Sequence, residues 1–185
     1  MLPRVRPQAV PTFPAALDAT SERILGEIAR LDTIARAFSR FGLPAAEAPA
    51  PEVIDLAAAA GEVVQLYGLA GEGAVVRLEA GHESRGRARA AEVKEVLVNL
   101  LENARNAGAR EIVVRVADGR LEVQDDGQGI PADQIPGLFE PKFSTTSSGS
   151  GLGLPIVKRL VEGWGATIEV ESVERRGTRV RITFG

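Results

Sequence analysis

The chain has 185 residues, of which 44% are hydrophobic and 25% charged, a balance that fits a soluble globular protein able to bury a core without staples. It has no cysteine and a single histidine, His82, which excludes disulfide scaffolds, thiolate metal sites, cysteine nucleophiles and any multi-histidine metal site. A net charge of −3 and a pI of about 5.4 predict no general pull toward nucleic acid or anionic lipid; no apolar run approaches the ~20 residues of a membrane span, and the N-terminus lacks the apolar stretch of a secretory signal.

Pro3, Pro7, Pro11 and Pro14 predict an extended tail over residues 1–17. Residues 18–43 read as one long helix, capped by Asp18, Thr20 or Ser21 and stopped by Gly42 and Pro44. Ile24, Ile28, Leu31, Ala35 and Phe38 repeat at helical spacing, and Leu25, Ile34 and Phe41 widen that stripe. So wide an apolar face needs a partner: either the helix packs on its own domain, or it joins a dimeric bundle. Residues 43–52, rich in Pro and Ala, form the expected boundary.

An apolar run over 53–56 leads into a helix reaching about Tyr67, with Val63, Val64 and Leu66 expected inward. A strand follows over 74–79, then a polar turn over 81–87 carrying His82, expected to be inert. The next helix, over 90–107, turns Val93, Leu97, Leu100 and Ala104 inward and stops at Gly108. Strands over 110–117 and 120–124 are joined by Asp118-Gly119, a strong hairpin signal. A Gly/Pro/Ser/Thr-rich loop fills 126–150, a helix runs over 152–162, and strands over 166–171 and 177–184 close the chain. This order predicts an α+β fold, a two-layer α/β sandwich with a mixed, largely antiparallel sheet, preceded by one long bundle-type helix.

Four clusters carry candidate chemistry. Asn99, Asn103 and Asn106 share one face of the 90–107 helix, beside its apolar stripe. Asparagine is a poor helix former, and buried amides without partners are costly. The face is either a structural polar seam or a set of neutral oxygens for a hydrated Mg²⁺ with phosphates. Asp125-Asp126-Gly127-Gln128-Gly129-Ile130 follows a strand directly; it is either a plain turn or a place where backbone and ligand approach closely. Gly149-Ser150-Gly151-Leu152-Gly153-Leu154-Pro155 opens a helix whose first N–H groups suit phosphate, yet lacks the Gly-Lys-Ser/Thr ending of a Walker loop. Between these lie Phe139 and Phe143, two aromatics in a loop of small residues, which serve as a docking lid, a core anchor or both.

In this order the four clusters resemble the ATP-binding catalytic domain of sensor histidine kinases, a Bergerat-type ATP-binding fold shared with gyrase, a heat-shock chaperone and mismatch-repair ATPases. The resemblance covers residues 52–185. Residues 22–44, ERILGEIARLDTIARAFSRFGLP, further resemble the second helix of the dimerisation and phosphoacceptor domain of nitrogen-regulation sensor kinases. It implies that ATP or ADP binds with Mg²⁺, that Asn103 ligates the metal, and that Asn99 and Asn106 belong to the nucleotide site, Asn99 positioning phosphates and metal-bound water. Asp125 would accept the adenine amine, Gly127, Gly129 and Ile130 would let the base lie close, and Thr178 would back it. Residues 131–150 would form the ATP lid, with Phe139, Lys142, Thr145, Thr146 and Ser148 near the nucleotide and Lys142 offering the phosphates positive charge. Gly149, Ser150, Gly151, Leu152, Gly153 and Leu154 would surround the phosphates.

There are departures. Thr145-Thr146 are followed by Ser147-Ser148 rather than by a cation, and no His-Glu or His-Asp box precedes the 18–43 helix. The resemblance therefore implies a chain that passes the γ-phosphoryl to a histidine it does not itself contain. Its implied partners are the phosphoacceptor helix of the same or another kinase chain and a response regulator. A homodimeric full-length kinase is expected, with this chain itself monomeric, in a cytoplasmic setting, without nucleic acid or membrane contact. Two other readings compete. A gyrase- or mismatch-repair-like ATPase would place a Glu where Asn99 stands, to activate water. An anti-sigma-type serine kinase is disfavoured by the 18–43 helix, and a non-catalytic partner by the intact motifs.

Overall fold

The computed structural model describes residues 49–69, 74–140 and 153–185. The predicted tail, the predicted 18–43 helix and, from the predicted lid onward, residues 141–152 lie outside the described residues. Among the described residues three helices and seven strands follow in order: β1 (Glu52–Asp55), α1 (Leu56–Leu69), β2 (Val75–Ala80), β3 (Arg85–Ala88), α2 (Ala90–Asn106), β4 (Glu111–Ala117), β5 (Arg120–Asp125), α3 (Gly153–Gly163), β6 (Thr167–Val173) and β7 (Gly177–Thr183). One 3-10 turn, Ile135–Gly137, interrupts the long loop after β5.

Five strands form one sheet in the order β2-β4-β5-β7-β6, and β1 and β3 pair as a separate two-stranded ribbon. Only β2 and β4 run parallel; β4–β5, β5–β7 and β7–β6 are antiparallel. The mixed, largely antiparallel sheet is therefore as the sequence predicts. The β4–β5 hairpin turns through Asp118 (φ 51°) and Gly119 (φ 65°), the left-handed pair that tight hairpins require.

The sheet has one dry face. Ile112, Val114, Val116, Leu121, Val123, Val180 and Ile182 alternate onto it and are buried, as a period of two demands. The helices cover it: α2 contributes Val93, Val96, Leu97, Leu100, Leu101 and Ala104, and α3 contributes Ile156, Val157 and Val161. Trp164 closes the edge of the core, stacked on Phe184 at 5.9 Å, with its indole N–H donated to Glu92 at 2.7 Å. The opposite face carries charge. There Glu122 meets Arg115 (3.2 Å), Arg179 (3.5 Å) and Arg181 (3.1 Å).

Helix α1 starts where it does because Asp55 Oδ1 accepts the N–H groups of Ala57 and Ala58 at 2.9 and 3.0 Å. It also accepts the Ser84 hydroxyl at 3.1 Å, and the backbone donors hold the Asp55 carboxyl below the ordinary carboxylate value.

Two expectations need correction. The polar turn expected over 81–87 includes a strand, β3, whose residues Arg85–Ala88 pair with Asp55–Glu52. Its sequence RGRA lacks the β-branched side chains that mark a strand; pairing is fixed instead by Gly86, buried beneath Phe184 and Leu56. Leu66, expected inward, is 66% exposed. At 100° per residue it lies about 70° from the centre of the stripe set by Leu56, Ala59, Ala60 and Val63, beyond that stripe's outermost member.

A Cβ at Gly86 would stand 2.7 Å from Phe184 Cγ and 2.8 Å from Leu56 Cδ1. Gly86→Ala is expected to destabilise the domain by about 1–3 kcal/mol through overpacking, read as a lowered midpoint of urea unfolding.

Candidate functional site

A cleft of about 210 Å³ opens between α2, the ends of β5, β6 and β7, and the start of α3. Leu100, Ala104 and Ala107 line it from one face of α2, at steps of four and three. Val123, Val170 and Val180 form its sheet side, and Leu138, Ile130 and Leu154 complete the apolar wall. The polar atoms are few: Asp125 and Thr178 at the strand ends, Asn103 on α2, and the loop at Gln128 and Gly129. An apolar slot with a few convergent polar groups is how small-molecule sites are built.

Asp125 is half-buried at the last position of β5. Burial pushes its carboxyl above the ordinary carboxylate value, and the neighbouring charge of Asp126 adds to this; the backbone N–H groups of Gly127 and Thr178 oppose it. The Gly127 bond is 2.8 Å. Asp126 turns the other way. Its Oδ1 accepts Arg110 N–H at 2.7 Å and Glu111 N–H at 2.9 Å, and these donors hold its carboxyl low. One of the two adjacent acids thus ties the loop to β4, and the other faces the cleft.

The glycines after Asp125 are steric necessities. A Cβ at Gly127 would lie 2.9 Å from Ala107 O and from Asp125 Oδ1. Gly129 has φ +66°, and a Cβ there would meet Val173 O at 2.1 Å. Gly177 has φ +96°, and a Cβ there would meet Asp125 O at 1.9 Å. Only glycine fits such approaches.

Asn99 and Asn103 face the start of α3. A Cβ on Gly153 would stand 3.1 Å from Asn99 Oδ1 and 3.6 Å from Asn103 Oδ1. Asn99 Nδ2 donates to Glu95 O at 2.9 Å, which leaves its Oδ1 toward the α3 end. The expected partial burial of this face holds for Asn99 alone; Asn103 and Asn106 are exposed, because α2 ends there and its stripe passes over to Ala104 and Ala107. Asn106 does not line the cleft, and neither do Gly127 and Phe139. The Phe139 ring receives Lys158 Nζ at 5.5 Å from its centroid. Lys142, Thr145, Thr146, Ser148, Gly149, Ser150, Gly151 and Leu152 lie outside the described residues. The structure brings together Asn103, Asp125, Gly129, Ile130, Leu154 and Thr178 along the cleft.

Ser172 is a residue that sequence reasoning missed. Its hydroxyl receives Ile130 N–H at 2.9 Å, donates to Gly177 O at 3.0 Å and touches Thr178 Oγ1 at 2.9 Å. It sits directly across from Thr178 in the β6–β7 ladder. The chain's single histidine, His82, is exposed, and its carbonyl accepts Asp118 N–H at 3.2 Å. That places it beside the hairpin end of β5, about 20 Å from Asp125 by strand rise.

Comparison with known proteins agrees with this fold. Residues 88–185 match the family described as histidine kinase-, DNA gyrase B-, and HSP90-like ATPase. The sensor histidine kinase ZraS of Klebsiella oxytoca is 45% identical over 92 residues, 46% of this chain and 20% of that protein. The sensor protein kinase PilS of Pseudomonas aeruginosa is 50% identical over 64 residues, 35% of this chain and 12% of that protein. The chain thus spans about a fifth or less of the length of these relatives. Among solved structures, the catalytic domain of histidine kinase ThkA superposes with a TM-score of 0.60 at 26% identity, covering 72% of this chain and 94% of that one. Full-length ShkA in complex with AMPPNP shares the fold, with a TM-score of 0.72 at 22% identity over 94% of this chain and 39% of that one. Among the described residues no helix is long and apolar enough to cross a membrane.

The raised carboxyl of Asp125 has a stability consequence. A carboxylate that binds its proton more tightly in the folded state stabilises the fold below its unfolded value, about 3.9, and loses that contribution as pH rises through the folded value. Asp125→Asn is therefore expected to melt above the wild type at neutral pH, the difference vanishing in acid. Thermal melts across pH 3 to 8 check this.

Proposed function

We propose, from the premise that this chain belongs to the histidine kinase-, DNA gyrase B- and HSP90-like ATPase family, that residues 52–185 are the ATP-binding catalytic portion of a two-component sensor histidine kinase. The observation that carries the reading is Asp125, a half-buried carboxylate at the inner end of an apolar slot. Such a group accepts hydrogen bonds and offers none. An adenine amine suits it; the carbonyl that guanine presents there would be repelled. Gly129 and Ile130 let the base lie against the loop, and Leu100, Ala104 and Val180 exclude water from it.

The phosphates would extend toward Asn99, Asn103 and the start of α3, where first-turn N–H groups favour anions. Asn103 Oδ1 is a hard oxygen on the cleft's rim and suits Mg²⁺, which keeps several waters and takes few protein ligands. The bound metal would neutralise phosphate charge, while Asn99, fixed by its bond to Glu95 O, would orient metal-bound water. Asn99 is a poor base, and this favours transfer to a presented imidazole over hydrolysis. The acceptor would be a histidine on a phosphoacceptor helix, and a response regulator would take the phosphoryl from it. His82, at the far end of β5, is poorly placed to serve.

Asp125→Asn is expected to weaken ADP binding about ten- to hundredfold, the loss of one charge-assisted hydrogen bond, as measured by calorimetry. Unchanged affinity would sink the adenine assignment. With γ-labelled ATP the purified chain should carry no acid-labile, base-stable label, and label should appear on a separately added helical hairpin bearing a His-Glu or His-Asp box. Label on His82 of this chain would refute the acceptor assignment.

A further inference from the structure

The Ser172 hydroxyl has one hydrogen and two lone pairs. Ile130 N–H can only donate, so it occupies one lone pair, at 2.9 Å. Gly177 O can only accept, so it takes the hydrogen, at 3.0 Å. One lone pair remains for Thr178 Oγ1, 2.9 Å away, and that contact is satisfied only if Thr178 donates. Thr178 therefore spends its own hydrogen on Ser172. It then meets the cleft, which it lines beside Asp125, with lone pairs alone.

We propose that Ser172 is a positioning residue that makes this end of the cleft an acceptor-only wall and thereby helps select a 6-amino purine over a 6-oxo purine. The inference rests on the nucleotide reading of the cleft and adds a residue to it that never touches the base. Asp125 supplies one acceptor by its charge. Thr178 could supply either a donor or an acceptor, since a free hydroxyl rotates to suit its partner, and the Ser172 bond removes that choice. The clamp is rigid because its outer partners are backbone atoms. Gly129, with its Cβ space closed by Val173 O, fixes the Ile130 N–H, and Gly177, closed by Asp125 O, fixes the accepting carbonyl. One hydroxyl so joins the loop after β5 to the β6–β7 turn, 42 residues further along the chain.

Adenosine and inosine diphosphates are the probes, because they differ at position 6 by exchange of a donor for an acceptor. Calorimetry should give a wild-type preference for ADP over IDP. In Ser172→Ala, Thr178 is free to turn its hydrogen toward a carbonyl, and the ADP-to-IDP preference should fall about three- to tenfold. Ser172→Thr, which keeps the hydroxyl, should restore it. Thr178→Val, which keeps the shape and removes the acceptor, should lower the preference similarly and decides the matter if Ser172→Ala does not fold. Equal weakening of both nucleotides with the ratio intact, in Ser172→Ala or in Thr178→Val, would show a merely structural hydroxyl and overturn the proposal. A wild type that binds neither nucleotide would overturn the nucleotide reading itself.

Discussion

Because Asp125 is half-buried in the wall of an apolar slot, two backbone N–H groups help to sustain its charge, and the surrounding chain is shaped to supply them. Gly127 reaches back to donate only because no side chain separates it from Ala107 and from the carboxylate. Thr178 reaches it from β7 only because Gly177 lets the backbone pass against Asp125 O. Gln128 N–H, donated to Ala107 O at 2.9 Å, then fastens the loop to the end of α2. The Asp-x-Gly-x-Gly run and the Gly-Thr of β7 are thus two halves of one backbone cradle. The half-burial that would suit Asp125 to the proposed adenine contact also makes it a burden on the fold, the usual relation between a tuned site and stability.

Helix α2 divides its surface between two tasks. Val93, Val96, Leu97 and Leu101 anchor it in the core; Leu100, Ala104 and Ala107 wall the cleft; and Asn99 and Asn103 face α3. Small residues at 104 and 107 leave the slot its width, and Gly153 leaves room for Asn99 Oδ1 at the start of α3. A Cβ at 153 would press on Asn99 Oδ1 at 3.1 Å and require that amide to shift. The spacing of α2 and the glycine of α3 are therefore one design, in which close approach of two helix surfaces brings amide oxygens and first-turn N–H groups to the same place.

Much of this was legible in the sequence because it is local. The Asp118-Gly119 hairpin, the α2 stripe, and the order of the asparagine, Asp-Gly and Gly-Leu clusters are all encoded within a few residues. What was missed is non-local. Ser172 falls in the turn that the sequence predicts between strands 166–171 and 177–184, and its meaning comes from Ile130, 42 residues away. Strand β3 has poor intrinsic propensity and exists because Gly86 fits beneath Phe184, a residue from the other end of the domain. Leu66 was misplaced for a simpler reason: three apolar residues in four positions do not define a helix face, and the small Ala59 and Ala60 settle it.

The two ends of the site differ in their physics. In the proposed reading, base recognition would rest on hydrogen bonds in a partly desolvated slot, where screening by salt is weak and a misdirected hydroxyl is costly. The proposed phosphate end lies at the rim, where Asn103 is exposed, and contacts there would be electrostatic, hydrated and sensitive to ions. Ala107 belongs to the slot wall and also holds Gln128, so the end of α2 and the loop fastened to it share one residue. The charged outer face of the sheet stands apart from both. Its ion pairs are mostly exposed and individually weak; Glu122, the one shielded carboxylate among them, holds β4 and β7 to β5 between Arg115, Arg179 and Arg181. That lattice crosslinks β4, β5 and β7 on the side away from the cleft. The strand ends that carry Asp125 and Thr178 can then keep hydrogen-bonding geometry that a flexing sheet would blur.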